Sequence, residues 1–204
     1  MSASEPTVFV VDDDHAVRRF LCGLIASIDI PVEAYASAQG FLDSYEPGRA
    51  GCLLLDIRMP EMSGLELQQE LDRRAIDLPV IILTGHGNVQ VAVNAMKAGA
   101  VDFIEKPFNN ELLLDRVQRA LSEGVKAREA RLGQEAIKDR MARLTPRERQ
   151  VLARVIAGDT NKGVARRLGI SDKTVELHRS RVMEKMQAGS LAALVKMVSA
   201  VQAS

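Results

Sequence analysis

Apolar residues come in short, strand-like runs that alternate with stretches of helical spacing through the first half of the chain. Thr7–Val11 is a continuous, largely apolar run and predicts a buried strand. Asp14–Ile28 follows, with Val17, Phe20, Leu21, Leu24, Ile25 and Ile28 at helical spacing. The alternation then repeats. Strands are expected over Val32–Ala36, Cys52–Leu55, Pro79–Thr84 and Val101–Ile104. Helices are expected over Ala38–Ser44, Gly64–Arg74 and Val89–Lys97, with a fifth opening at Asn110–Ala120. Five strands alternating with five helices predict an α/β domain with a parallel sheet covered on both faces.

Beyond Leu121 the pattern changes. Residues 123–142 are rich in Ala, Arg, Glu and Lys and read as an extension of the fifth helix into a helical or flexible linker. Gly124 and Gly133 weaken any sustained heptad there. The rest is all helical: Pro146–Ala157, Asn161–Leu168, Ser171–Met186 and Ser190–Val201. Thr145, Pro146 and Glu148 spell a capping box with proline in the first turn, Gly158 and Gly169 are expected terminators, and Ser171 is a further N-cap. This predicts domains over 1–122 and 143–204 with a linker between.

Charge sharpens the division. The whole chain is neutral, but residues 1–122 carry 10 Lys/Arg against 18 Asp/Glu, and residues 123–204 carry 17 against 9. The second half therefore presents a basic surface suited to an anionic partner such as nucleic acid. No run approaches the ~20 apolar residues of a membrane span, and no leader is visible at the N-terminus, so the cytoplasm is the expected compartment. Cys22 and Cys52 sit in apolar contexts and are expected to be buried thiols.

The polar residues of the first half fall at the carboxyl ends of the predicted strands, where open parallel sheets bind ligands. Asp12 and Asp13 follow the first strand, Asp56 follows the third, Thr84 ends the fourth and Lys106 follows the fifth. If the first strand lies beside the third, the three carboxylates converge. Crowded carboxylates call for a cation, and Mg²⁺ (or Mn²⁺) takes hard oxygen ligands and pairs with phosphate. A carboxylate beside such an ion can attack phosphorus, with a lysine neutralising the phosphoryl oxygens. Asp56 is the expected nucleophile. Taken alone, Asp12–Asp14 also reads as a solvated helix cap, and Lys106 as a surface charge.

Four stretches then show a resemblance. Val10-Val11-Asp12-Asp13-Asp14, Leu55-Asp56-Ile57-Arg58-Met59-Pro60, Thr84-Gly85-His86-Gly87 and Lys106-Pro107-Phe108 are similar to the signature segments of response-regulator receiver domains, over roughly residues 5–122. The resemblance implies a flavodoxin-like fold with strand order 2-1-3-4-5. It implies phosphorylation of Asp56 by a sensor histidine kinase, and a metal held by Asp12, Asp13, Asp56 and the main-chain carbonyl of Arg58. It further implies a switch pair, Thr84 and Phe103, a cis Lys106–Pro107 peptide, and a tuning role for Arg58 and His86 at the pocket rim.

In the second half, Asn161–Ser171 reads as helix, glycine turn, then helix, a helix-turn-helix whose second helix enters the major groove of DNA. Val175, Val182 and Met186 are expected to face the core, and Lys173, Glu176, Arg179, Ser180 and Lys185 to face outward, with Arg181 near the edge. Arg and Glu can read bases; Lys162, Lys173 and Thr174 suit phosphates. Leu144–Leu152, Asn161-Lys162, Thr174–His178 and Lys185-Met186 resemble LuxR-type DNA-binding domains, and over roughly 143–204 those of FixJ-like regulators. That implies an all-α four-helix domain whose last helix supports dimerisation, with Gly163 in place of a larger side chain.

The two resemblances together imply a transcription regulator switched by phosphorylation, dimerising on duplex promoter DNA and working with RNA polymerase. Two rivals remain at this point: a Mg²⁺-dependent aspartyl-phosphate phosphatase, and a receiver joined to a protein- or RNA-binding helical module.

Overall fold

The structure, a computed structural model, describes residues 5–85 and 89–202. Two compact units divide the chain, Met1–Glu129 and Ala130–Ser204. In the first, strands β1 (Thr7–Val11), β2 (Val32–Tyr35), β3 (Gly51–Asp56), β4 (Val80–Thr84) and β5 (Asp102–Glu105) alternate with helices α1 (His15–Ala26), α2 (Ala38–Ser44), α3 (Gly64–Arg73), α4 (Val89–Lys97) and the N-terminal part of α5 (Asn110–Ala142), whose residues from Ala130 on belong to the second unit. The strands are parallel, in the order β2-β1-β3-β4-β5. The apolar runs of β1, β3 and β4 are the central strands, buried along their whole length. Alternate residues serve opposite faces. Phe9, Val11, Leu53, Leu55 and Ile82 pack with Phe41, Leu67 and Ala95 on one side. Val8, Val10, Leu54, Ile81 and Leu83 pack with Leu21, Ile25, Leu113 and Val117 on the other.

Helix α5 runs unbroken through residues 123–142. The two glycines within it differ. Gly133 has open space where a side chain would stand, whereas a Cβ on Gly124 would lie 2.5 Å from the Gly51 carbonyl oxygen and 3.1 Å from Pro79 Cδ. Gly124 is therefore required by the close approach of α5 to the sheet, and is more than a weak link in a helix.

The second unit contains α6 (Pro146–Ile156), α7 (Asn161–Leu168), α8 (Asp172–Met186) and α9 (Leu191–Gln202). Thr145 and Glu148 form the expected capping box, with Pro146 in the first turn. Gly169 caps α7 in the left-handed region, φ 65°, and Ser171 caps α8. Val151, Val155, Val164, Ala165 and Val175 close one core beside Leu168 and Ile170. Leu152, Val182, Met186, Leu194 and Val198 close a second, which also receives Ile137 and Met141 from the end of α5. Among the described residues no helix is long and apolar enough to cross a membrane. Cys52 is buried as expected, but Cys22 is only half-buried; both are free thiols.

Candidate functional site

Parallel pairing of β1 and β3 sets Val11 opposite Leu55, so the next residues, Asp12 and Asp56, stand side by side at the carboxyl edge of the sheet. Both are buried, at 1% and 6% exposure. Lys106 follows β5 and reaches across the end of β4; its main-chain N–H donates to the Thr84 carbonyl at 2.7 Å. Its ammonium lies 2.6 Å from Asp12 Oδ2 and 2.6 Å from Asp56 Oδ1. The other oxygens are also engaged. Asp12 Oδ1 accepts from the Asp14 N–H at 2.9 Å, and Asp56 Oδ2 from the Arg58 N–H at 2.7 Å. The Lys106–Pro107 peptide is cis.

The three consecutive acids divide their roles. Asp14 is the N-cap of α1, accepting from the Ala16 and Val17 N–H groups. Asp12 turns into the pocket. Asp13 is exposed and stays outside the Lys106 network. The expectation that three carboxylates converge is thus met by two, and among the described residues no group of three acidic, histidine or cysteine side chains is close enough to hold a metal. Arg18 on α1, which the sequence reading passed over, donates to the Asp12 carbonyl at 2.7 Å and steadies this loop.

Electrostatics define what the pocket can bind. Burial pushes the Asp12 carboxyl above the usual carboxylate range, and the bonds from Lys106 and the Asp14 N–H only partly offset it. Burial alone would lower Lys106, but its bonds to Asp12 and Asp56 outweigh this and hold the ammonium above its ordinary value. Two carboxylates facing one ammonium leave net negative charge, with the Asp13 carboxylate one residue away. All-oxygen donors with surplus negative charge fit a hard divalent ion such as Mg²⁺.

Thr84 is buried at the end of β4. Phe103 is half-buried and packs against the core on the α3 and α4 side of the sheet. Arg58 follows Asp56 at the rim, exposed. His86 lies outside the described residues.

In the second unit, Lys162, Lys173, Glu176, Ser180 and Arg181 are exposed, and Thr174 is half-buried with its hydroxyl 2.8 Å from that of Ser171. Two expectations are corrected. Lys185 does not face outward: its ammonium bonds Glu148 at 2.7 Å and the Arg143 carbonyl at 3.3 Å. Arg179 also turns inward, to Asn161 Oδ1 at 2.6 Å. The reason is spacing, since Val175, Val182 and Met186 are the buried residues of α8 and 179 falls on their stripe. The outward stripe instead includes Leu177, 50% exposed, an apolar group of the kind that meets a thymine methyl.

Comparison with known proteins agrees with this geometry. Residues 8–118 match the response regulator receiver domain, and residues 142–198 match the bacterial regulatory proteins of the luxR family. The transcriptional regulatory protein FixJ of Rhizobium meliloti is 47% identical over 95% of this chain and 95% of its own length. This chain belongs to the response regulators. Nodulation protein W of Bradyrhizobium diazoefficiens is 44% identical over 96% of this response regulator and 86% of its own length. The solved structure of the response regulator StyR superposes with a TM-score of 0.86 at 43% identity, covering 96% of this chain and 99% of that one. A receiver joined to a LuxR-type DNA-binding domain makes this response regulator a FixJ-like transcription regulator. The relatives are transcriptional regulators, which favours this reading over an aspartyl-phosphate phosphatase and over a receiver joined to a protein- or RNA-binding module.

Proposed function

We propose that Asp56 is the phosphoacceptor, that a phosphohistidine of a sensor histidine kinase is its donor, and that phosphorylation controls sequence-specific binding to duplex DNA. The observation that carries this reading is the Lys106 ammonium held 2.6 Å from both Asp12 and Asp56. A carboxylate oxygen of Asp56 forms the new P–O bond as the P–N bond to the donor imidazole breaks, and the imidazole retains the electron pair and takes a proton. Lys106 balances charge on the transferring group, and the Thr84 hydroxyl bonds it. Asp12, Asp13, Asp56 and the Arg58 carbonyl would hold Mg²⁺ (or Mn²⁺), which supplies charge neutralisation at the phosphoryl oxygens. Self-dephosphorylation by water is the only other chemistry assigned.

Thr84 and Phe103 form the switch pair, and the surface of α4, β5 and α5 is the one they reshape. The outcome is homodimerisation, release of the DNA-binding domain, or both. A homodimer matches paired half-sites on DNA, with RNA polymerase as the downstream partner and the cytoplasm as the compartment. Residues 1–122 act as receiver, 123–142 as helical linker and 143–204 as DNA-binding domain. Glu176, Ser180 and Arg181 of α8 face bases, while Lys162 of α7 and Lys173 and Thr174 of α8 face phosphates.

The test is incubation with a small phosphodonor and Mg²⁺, followed by intact-mass spectrometry and sedimentation. Wild type should gain one phosphoryl group, self-associate and bind DNA more tightly, and Asp56→Asn should do none of these. A variant lacking Asp56 that still takes a single phosphoryl group, or a phosphorylated wild type unchanged in sedimentation and in DNA affinity, refutes the reading.

A further inference from the structure

We propose that Arg179 is a positioning residue of the DNA-binding unit: it latches the first turn of α7 to α8 and does not itself read DNA. The observations are local and independent. Arg179 is half-buried and falls by spacing on the stripe of α8 that buries Val175 and Val182, and it lines a small interior gap with Val151, Leu152, Val155 and Val182. Its guanidinium emerges at Asn161, whose Oδ1 accepts at 2.6 Å.

Asn161 is the first residue of α7, directly after its N-cap Thr160. That turn is weak by composition, because Gly163 sits within it and glycine is a poor helix former. Besides main-chain bonding, the turn is held by the Thr160 hydroxyl, which accepts from the Gly163 N–H at 3.3 Å, and by the bond from Arg179. A guanidinium at the positive end of a helix is electrostatically unfavourable unless a local acceptor receives it, and the Asn161 amide oxygen does so. To reach a base, Arg179 would have to abandon this charge-assisted bond and leave Asn161 without its donor.

The functional consequence concerns register. Lys162, next to Asn161, is placed to meet a phosphate, and phosphate contacts fix how a protein is seated on the duplex. The Arg179–Asn161 bond fixes the distance between that phosphate contact and the outward face of α8. Loosening it should weaken binding to every sequence alike, because the base-reading side chains remain as they are.

The inference rests on the assignment of α8 to the major groove, and the experiment separates the two. The full chain is measured against a duplex that wild type selects from a random pool, its single-base variants, and an unrelated duplex, over a range of salt. Arg179→Met and Asn161→Ala should each lose about tenfold in affinity, as for a bond to a charged group. The double variant should lose no more than either alone, and Arg179→Lys should recover part. The base-preference profile and the salt slope should match wild type. A changed preference at one base pair makes Arg179 a reader and overturns the proposal. So does a salt slope reduced by about 0.9, the mark of a lost phosphate contact, or simple additivity of the two substitutions. Asn161→Ala removes only the acceptor at a half-exposed position, so it carries the test if Arg179→Met does not fold. If Lys173→Ala and Arg181→Ala leave affinity untouched, the groove assignment falls and the latch with it. Additivity with those two effects intact sinks the latch alone.

Discussion

Glycine-to-alanine changes at three helical positions should have opposite signs. An alanine in a helix interior is worth about 1 kcal/mol over glycine. At Gly133, where no atom lies within 4 Å of an added Cβ, nothing opposes that gain. At Gly163 the nearest atom is Thr160 Oγ1 at 3.5 Å, an ordinary contact, so a gain of about 0.5 kcal/mol is expected in this first-turn position. At Gly124 the Cβ meets the Gly51 carbonyl at 2.5 Å. That oxygen belongs to the sheet strand β3, so α5 must lift and draw its own Val117, Ala120 and Leu121 out of the core they share with Val8, Cys52 and Leu54. Overpacking of this kind costs about 1–3 kcal/mol. Against the propensity gain, and with a main-chain obstacle placing it at the upper end, the net loss is about 2 kcal/mol.

The chain's fluorophores suit the assay. It has two tyrosines and no tryptophan, and Tyr35 and Tyr45 both lie in the first unit, so tyrosine fluorescence follows that unit alone during urea unfolding. With a urea slope of about 2 kcal/mol per M, Gly124→Ala should lower the tyrosine-detected midpoint by roughly 1 M. Gly133→Ala and Gly163→Ala should leave it in place and raise the stability of helical signal in the second unit. A Gly124→Ala protein with an unchanged or higher midpoint would refute the close approach of α5 to β3.

Two further outcomes follow from buried titratable groups. The Lys185 ammonium and then the Thr145 N–H hold the Glu148 carboxyl below its ordinary value of 4.5. The stability this confers is complete above that value and is lost as pH falls through the lowered one. Amide exchange in α6 and α8 should therefore quicken below about pH 4.5 in wild type, with Glu148→Gln removing that acid dependence; identical pH profiles would contradict it. Burial pushes the Cys52 thiol up to about 12 and Cys52 is fully buried, so an aromatic disulfide reagent at pH 8 should leave it unmodified in the native protein. Prompt modification of Cys52 would show that the β3 core is open.

Much of the fold and pocket was legible because both obey short-range rules. Continuous apolar runs mark the central strands, and Asp12, Asp56, Thr84 and Lys106 sit at strand ends, so the topology delivers them to one edge. Capping boxes span three residues, which is why Thr145 and Glu148 could be read. What escaped depends on distant partners or on weighing chemistry against spacing. Lys185 reaches a carboxylate 37 positions away along the chain, and no local pattern announces it. Arg179 was judged by its charge, although its spacing from Val175 and Val182 already placed it inward. Asp12, Asp13 and Asp14 are chemically identical, and only the turn from β1 into α1 gives one to the pocket, one to solvent and one to the helix cap. Gly124 shows its necessity only against Gly51, far off in sequence.

Under the proposed reading, Lys106 couples the pocket's charge to the sheet. In the unmodified protein one ammonium serves two carboxylates, and its backbone is tied to β4 through Thr84. Phosphorylation would add roughly −1.5 to −2 charges at Asp56. With an effective dielectric of about 20, a unit charge about 3 Å from an ammonium interacts by roughly 5 kcal/mol, close to the ~5.5 kcal/mol needed to invert a 1:99 equilibrium. Phe103 lacks a hydroxyl, so its inward and outward states differ only in apolar burial, and completing the burial of a half-buried ring adds roughly 1–2 kcal/mol. That is too little to drive the switch alone, but enough to bias which way it settles once charge at Asp56 has drawn Lys106 and Thr84 together. On that reading the ring would report the pocket's charge to the α4 surface without a hydrogen bond of its own, and the driving energy would have to come from the acid–lysine cluster.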